Sequence, residues 1–318
     1  MPEFNIKHTT LYEYRGDVYD SANQIILYPV NDDYQEVQSQ ELDITGNPLI
    51  SLHADYYGNK IGTFSVREPH YYLEIISNIR VITKSRPFPE DTIFSGEQWN
   101  ELQKLQKIMP YVDYLNMEYF KYADEVPELV DSEKLQTPFK ASLRFCEYVY
   151  ENFEYIPGIT NVETKPDEIW QLKAGVCQDF AHILLVMLRQ VKIPARYVSG
   201  YICPNKNGMR GEGATHAWVE AFIPNYGWIG LDPTNNCMVN DTHVRLAVGR
   251  NFSDCSPVKG VYRGNPEHNL KVKVSVAYQG EEVSESENLP HPESQPLSMG
   301  IKNSFALHQE IMEQQQQQ

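Results

Sequence analysis

The sequence predicts an α+β protein. An all-β, sandwich-like N-terminal domain comes first, followed by a domain in which one buried helix packs on an antiparallel sheet. Three observations predict it. As far as Thr83, short strand-like runs alternate with Gly, Pro, Asn and Asp punctuation. From Cys177 to Gln190 there is no Gly or Pro, and Phe180, Ala181, Ile183, Leu184, Leu185, Val186, Met187 and Leu188 leave almost no polar face, the pattern of a helix surrounded by core. Ala214 to Phe222 alternates between two faces, turns at Pro224-Asn225-Tyr226-Gly227, and resumes from Trp228 to Leu231 as a hairpin.

The N-terminal strands are read in order. Phe4, Ile6, His8, Thr10, Tyr12 and Tyr14 share one face of the first. Further runs are 24–29, 36–44, 49–57, 60–66 and 71–83, separated by Asp32-Asp33, Gly46-Asn47-Pro48, Gly58-Asn59 and Glu68-Pro69. Gly58-Asn59 suits a two-residue hairpin turn. No catalytic constellation is visible here; His53 and Asp55 read as a polar outer face.

Arg86-Pro87-Phe88-Pro89 marks a boundary. Beyond it, Trp99, Leu102, Leu105 and Met109 keep helical spacing over 97–109, and 113–136 is tyrosine-rich and acidic without a clear period. Thr137-Pro138 should start a helix, as N-cap and first-turn proline, with Phe139, Leu143, Cys146, Tyr150 and Phe153 on its core face. Thr164-Lys165-Pro166-Asp167 should open a short capped helix carrying Ile169 and Trp170. Strands are expected at 196–203, 243–248 and 270–278, the last two completing the second sheet. Pro204 to Gly213 reads as a glycine-rich loop beside the His216 strand, either a rim of the cleft or an ordinary solvated loop, and from Gly280 a Glu/Ser/Pro-rich tail leads to five glutamines, with a short amphipathic helix near 305–312.

Cys177, just after Gly175, falls in the first turn of the apolar helix. Unpaired N–H groups and the positive end of the dipole there favour a thiolate and can also receive an oxyanion. His182 cannot serve this thiol, because five residues place it about 140° round the helix. His216 can, since it stands on the first strand of the hairpin. A three-residue loop centred on Pro224 sets it opposite Asp232. A two-residue turn at Asn225-Tyr226 sets it opposite Asn235, with Asp232 displaced. Either brings imidazole and carboxylate onto adjacent strands, where Asp232 can fix the tautomer of His216. The order is nucleophile, base, orienting carboxylate. Tyr155, Trp170 and Gln171 are candidates for a second oxyanion donor by chemistry.

The runs Gly-Val-Cys-Gln-Asp-Phe-Ala, Thr-His-Ala-Trp-Val-Glu and Asp-Pro-Thr-Asn-Asn resemble, in order, three core motifs of the bacterial transglutaminase-like superfamily, often described as candidate cysteine proteases. The resemblance extends from Phe4 to Tyr278, because the N-terminal part is similar to the β-rich region preceding the catalytic domain in these proteins. It implies a papain-like, transglutaminase-like catalytic domain with a Cys177–His216–Asp232 triad. It also favours Tyr155 as the oxyanion donor, from the Tyr155-Ile156-Pro157-Gly158 run. The domains expected are 1–84 (β-rich), 85–136 (helical linker region), 137–279 (catalytic) and 280–318 (flexible tail).

The formal net charge of −16 argues against nucleic acid and anionic membrane as partners and says nothing positive about substrate; a peptide or protein substrate is what the resemblance implies. The Met1 end has no signal-peptide pattern and no run reaches spanning length, so a cytoplasmic location is expected. Five cysteines, Cys146, Cys177, Cys203, Cys237 and Cys255, without C-x-x-C spacing read as free thiols in a reducing compartment. No cofactor is expected, and no metal-ligand spacing is present. Three functions follow: a cysteine hydrolase acting on amides through a thioester, a protein-glutamine transamidase with the same first half-reaction, and a non-catalytic binding module. The first is expected. The resemblance favours it, and no calcium-loop pattern supports the animal transglutaminase type.

Overall fold

The structure, a computed structural model, describes residues 1–117, 119–126, 136–203, 209–210, 214–264 and 267–280. Its N-terminal sheet is built around one long strand, β1 (Glu3–Ile25). The first half of β1 lies between β5 (His70–Thr83) and β14 (His268–Tyr278), and its second half between β4 (Lys60–Val66) and β13 (Val258–Gly264). The β1–β5 register slips between Glu13 and Val18, and the β1–β13 register between Tyr19 and Ala22, where Asp20 has φ 51°. Such bulges bend a strand and let it serve two leaves. β2 (Gln35–Ile44) pairs with β5, and β3 (Ser51–Ala54) with β4. The face expected for the first strand is the buried one, with Phe4, Ile6, His8, Thr10, Tyr12 and Tyr14 all in the core.

Four expectations need correction. Strand β1 runs on through 15–23, joining the first expected strand to the start of the run expected separately at 24–29. Leu270–Tyr278 does not complete the second sheet, since β14 and β13 both return to β1. Alternation reveals a strand but not its neighbour. The β3–β4 loop is longer than a two-residue turn: Asp55 N–H donates to Asn59 O at 3.0 Å, and the Asp55 carboxylate accepts from the N–H groups of Tyr57 and Asn59. Helix α1 (Ser95–Leu105) ends before Met109, which is exposed. The rim loop at 204–213, apart from Met209 and Arg210, and the tail beyond Gly280 lie outside the described residues.

Helix α2 (Pro138–Asn152) has the expected N-cap, with Thr137 Oγ1 accepting from Lys140 N–H at 3.3 Å. Its core face carries Phe139, Phe145, Cys146 and Val149, while Tyr150 points out. Helix α3 (Pro166–Leu172) buries Ile169 and Trp170. It has no side-chain cap, because the Thr164 hydroxyl is engaged with Asn161. Two short strands, β6 (Glu154–Tyr155) and β7 (Ala174–Gly175), pair in parallel and lead into α4 (Cys177–Gln190).

Helix α4 is the centre of the core. Every residue from Ile183 to Arg189 is buried, as its uninterrupted apolar run requires. Even Arg189 is accommodated, donating to the carbonyls of Asn116, Ala195 and Arg250. The helix packs on a five-stranded antiparallel sheet ordered β11 (Cys237–Met238), β10 (Gly227–Asp232), β9 (Thr215–Ile223), β8 (Ala195–Ile202), β12 (His243–Gly249). A last short helix, α5 (Phe252–Cys255), follows β12.

Two side chains from the N-terminal part cover the free edge of β12. Gln35 exchanges hydrogen bonds with the backbone of Arg245 (2.7 and 2.9 Å), and Asn59 does the same with Val248 (2.8 and 2.7 Å). Each side-chain amide stands where a neighbouring strand would, so buried ladder groups are satisfied. Behind them a charge network joins the two parts. Glu220, fully buried, pairs with Arg196 and Arg245, and Arg245 also reaches Asp32. Burial alone would raise the Glu220 carboxyl, but the neighbouring guanidiniums of Arg196, Arg245 and Arg86 hold it down to about 2.

Candidate active site

Cys177 is the first residue of α4, and the local sequence explains how it is held there. Asp179, two residues on, folds back so that Oδ2 accepts from the Val176 N–H at 2.8 Å and from the Thr160 hydroxyl at 2.6 Å. This occupies the N-cap and ties the helix start to the 156–165 loop. Gly175 leaves room for it, since a Cβ there would lie 2.5 Å from Asp179 Oδ2 and 2.7 Å from its Cβ. The first N–H to find a helical acceptor is that of Phe180, on Val176 O at 3.0 Å. The amides of Cys177 to Asp179 therefore precede the helical ladder, at the positive end of the dipole.

His216 is the second residue of β9 and Asp232 the last of β10. The hairpin takes neither expected register. Ile223 pairs with Gly227 across a three-residue loop centred on Asn225, whose φ of 69° is followed by 88° at Gly227. Continued, this register sets His216 beside Thr234, so the Asp232 carboxylate meets it diagonally. The contact is direct, with His216 Nε2 2.9 Å from Asp232 Oδ2 and both side chains fully buried. The other ring nitrogen, Nδ1, is buried without a hydrogen-bond partner, and Cys177 lies near enough for its sulfur to raise the imidazole. Burial alone would lower the His216 imidazole, but the Asp232 carboxylate and the Cys177 sulfur raise it to about 10.

Asp232 is saturated with donors. Oδ1 accepts from the N–H groups of Thr234 (2.9 Å) and Asn235 (3.3 Å). Oδ2 accepts from His216, from the Asn235 side-chain amide at 2.8 Å, and faces His243 Nε2 at 3.3 Å. Its burial is more than offset by the two imidazoles, which hold the carboxyl well below its ordinary range. Asn235 also binds the rim, accepting from the Arg210 N–H at 2.8 Å and donating to the Arg210 carbonyl.

The structure thus sets His216 against Asp232, with Cys177 close by at the start of α4. Tyr155 lies on the same side. It pairs with Gly175 across β6–β7, stands edge-on to Phe180, and its phenol is raised by burial and then by the Cys177 sulfur. Trp170 and Gln171 are committed elsewhere, to Glu125 and Tyr122. His182 is half-buried and turned toward Phe252. It accepts from the Phe252 N–H, and burial lowers it to about 4. Two residues at the carboxylate escaped the sequence reading. Asn235 has a local signal, since Asx chemistry three residues beyond an aspartate is common in turns. His243 has none, because it arrives from β12.

Known proteins resemble this chain in sequence and in fold. Residues 121–233 match the transglutaminase-like superfamily, and residues 4–82 the bacterial transglutaminase-like N-terminal region. An uncharacterized protein of Mycobacterium leprae is 31% identical over 281 residues, spanning 87% of this chain and 99% of that one. A Pseudomonas aeruginosa protein-glutamine gamma-glutamyltransferase is 34% identical over 164 residues, which cover 48% of this chain and 25% of that protein. The fold is that of a solved Cytophaga hutchinsonii structure named "Putative Cysteine Protease", with a TM-score of 0.68 at 20% identity over 92% of this chain and 94% of that one. The chain belongs to the transglutaminase-like superfamily and carries that superfamily's bacterial N-terminal region ahead of the Cys-bearing core.

Proposed function

We propose that this protein is a cysteine hydrolase of amide bonds in peptides or proteins. The observation that carries the reading is the buried His216, held by Asp232 through Nε2, with Nδ1 left free of other partners and the Cys177 sulfur close enough to raise the ring. In the first half-reaction the Cys177 thiolate attacks the amide carbonyl carbon and the π pair moves to oxygen. The oxyanion is received at the N-terminus of α4, where the Cys177 N–H is the natural donor and Tyr155 the candidate second one. As the tetrahedral adduct collapses, the C–N bond breaks and His216 gives its Nδ1 proton to the leaving amine. In the second half-reaction water adds to the thioester while Nδ1 takes its proton. The C–S bond then breaks, releasing the acid and restoring thiolate and imidazolium. Asp232 holds the imidazole in one tautomer throughout and stabilises its charged form.

Water suits the site as acceptor. Cys177 is half-buried, open enough for a small nucleophile. Arg210, fixed by Asn235 and close enough for its charge to act on Tyr155, disfavours the approach of a cationic lysine amine. Transamidation remains the second reading, favoured by the similarity to the Pseudomonas aeruginosa glutamyltransferase over about half of this chain.

The test uses intact-mass trapping with a library of peptide and glutamine-containing donors, with and without excess labelled cadaverine. The expected result is an acyl adduct on the native chain, absent from Cys177→Ala, that resolves to free acid even with amine present. No adduct with any donor overturns the enzyme reading. Mostly cadaverine-linked product replaces hydrolysis with transamidation.

A further inference from the structure

We infer that Asp232, Cys237 and His243 form a binding site for a borderline-soft divalent cation, with zinc as the best fit, adjoining the thiol site and sharing its carboxylate. Cys237 is the register partner of Asp232 across β10 and β11, brought there by the turn at 233–236, in which Asn236 has φ 48°. His243 opens β12 and reaches the same carboxylate from the far side of the sheet. One donor atom from each residue, carboxylate oxygen, thiol sulfur and imidazole nitrogen, lies within 4.8 Å of the other two.

The geometry fits a tetrahedral ion better than it fits a hydrogen-bonded pair. His243 Nε2 and Asp232 Oδ2 are 3.3 Å apart, long beside the His216 contact of 2.9 Å to the same oxygen. Charge-assisted hydrogen bonds prefer about 2.7–2.9 Å. With metal–ligand bonds of about 2.0–2.1 Å, the N···O edge of a zinc tetrahedron is about 3.3 Å. The sulfur edges of such a tetrahedron are about 3.6 Å, so from separations within 4.8 Å Cys237 completes one face by moving about 1.2 Å at most.

The surroundings supply the remaining requirements. Thr242 Oγ1 is 3.2 Å from His243 Nδ1, and can accept that N–H once Nε2 is turned to the metal. Asp232 Oδ2, the oxygen that faces His243, is the ligand, and the cation would share it with the His216 ring and the Asn235 amide. Asp232 and His243 are buried while Cys237 is half-exposed, so the site opens on the sulfur side, where a water can take the fourth position. A thiolate, an imidazole and a carboxylate together select zinc-like ions over magnesium and calcium.

Binding balances simply. The Cys237 thiol loses its proton to solvent as the metal–sulfur bond forms. His243 presents Nε2 to the cation with its ring proton on Nδ1, toward Thr242. Because Oδ2 is also the acceptor for His216, a bound cation competes for the carboxylate that orients the base. That consequence, slower Cys177 chemistry, rests on the hydrolase reading; the binding itself does not.

The test uses the full chain carrying Cys177→Ala, so that the thiol of the proposed triad cannot ligate. After chelator treatment and dialysis, Zn²⁺ binding is measured by calorimetry and metal content, and Cd²⁺ binding by its ultraviolet thiolate charge-transfer band. The expected result is one ion per chain, release of the Cys237 proton, and a cadmium band. Adding Cys237→Ser should abolish the band and weaken zinc at least tenfold, and adding His243→Gln, which keeps a donor for Asp232, should weaken zinc similarly. A Cys177→Ala chain that binds no zinc, or binds it unchanged with Cys237→Ser, overturns the site and leaves the thiol chemistry untouched. Stoichiometric zinc lost with Cys237 establishes the site even if Cys177 proves inert toward every amide.

Discussion

Replacing Asp232 by Asn is the sharpest perturbation of the candidate triad, and its effect can be worked out atom by atom. All of the groups facing Asp232 donate: two backbone N–H groups at Oδ1, and His216, His243 and the Asn235 amide at Oδ2. Asn has one acceptor oxygen and one NH₂. The backbone donors of Thr234 and Asn235 are fixed by the turn, so the oxygen settles there and the NH₂ faces His216. His216 Nε2 must then accept, which moves the ring proton to Nδ1, the nitrogen that should take the proton of Cys177. The base is left in the wrong tautomer. The expected loss in turnover is on the order of 10²–10⁴, as for serine triads treated in this way. The stability cost is about 1–3 kcal/mol, from donors left facing donors in a buried site.

No substrate is needed to measure this. The rate of Cys177 carboxamidomethylation against pH, followed by peptide mass mapping, reports the thiolate directly. Asp232→Asn should react several-fold more slowly than native at pH 7, because the carboxylate that raises His216 to about 10 is gone while the burial that lowers it remains. Stability carries a sign as well. The His216 value is raised from 6.5 to about 10, so the pair contributes fully below about pH 6.5 and fades as pH rises through 10. Asp232 lies below its ordinary 3.8, so the contribution is present above that value and lost as pH falls through the depressed one. The Tm gap between native and variant should be widest between pH 3.8 and 6.5 and narrow toward 10. A folded Asp232→Asn with the native alkylation profile, and a Tm gap independent of pH, would refute the orienting role.

Other expectations follow from the same contacts. With limiting iodoacetamide at pH 7, Cys177 should be modified first: burial pushes Cys146, Cys203 and Cys255 well above the ordinary thiol range and Cys237 to about 12. Mapping the first adduct to any other thiol would count against Cys177 as nucleophile. Gly175→Ala should displace the Asp179 carboxylate, leave the Val176 N–H unpaired, and cost about 1–3 kcal/mol by chemical denaturation. A neutral result would show that the helix start does not depend on Asp179. Asn59→Ala should strip both partners from the Val248 backbone and accelerate hydrogen exchange there by at least tenfold; unchanged protection would mean that the β12 edge is covered without it.

What the sequence revealed was set by how local each signal is. The apolar run of α4 could only be a buried helix, and Cys177 at its mouth followed from that. The β9–β10 hairpin was legible as alternation broken by a turn, but its register was not. Positive φ at Asn225 and Gly227 makes a three-residue loop centred between the two alternatives, and composition alone does not distinguish them. The return of β13 and β14 to β1 was hidden because a strand carries no label for its partner. His243 shows the limit most clearly. In sheet order its strand lies three places from β10, too far for a side chain across a flat sheet at about 4.8 Å per strand. The sheet is not flat. At Gly200, opposite both His216 and Arg245, a Cβ would strike the Val244 carbonyl and the Trp218 ring, so the missing side chain lets β12 and β9 close over β8. The His243 and Trp218 rings then meet edge to face at 5.2 Å, and His243 continues to Asp232. A glycine in one strand thereby brings a histidine from another to the carboxylate of a third. Gln35 and Asn59 hold that histidine's strand from outside. The N-terminal sheet thus acts on the candidate site through β12, without contributing a residue to Cys177, His216 or Asp232.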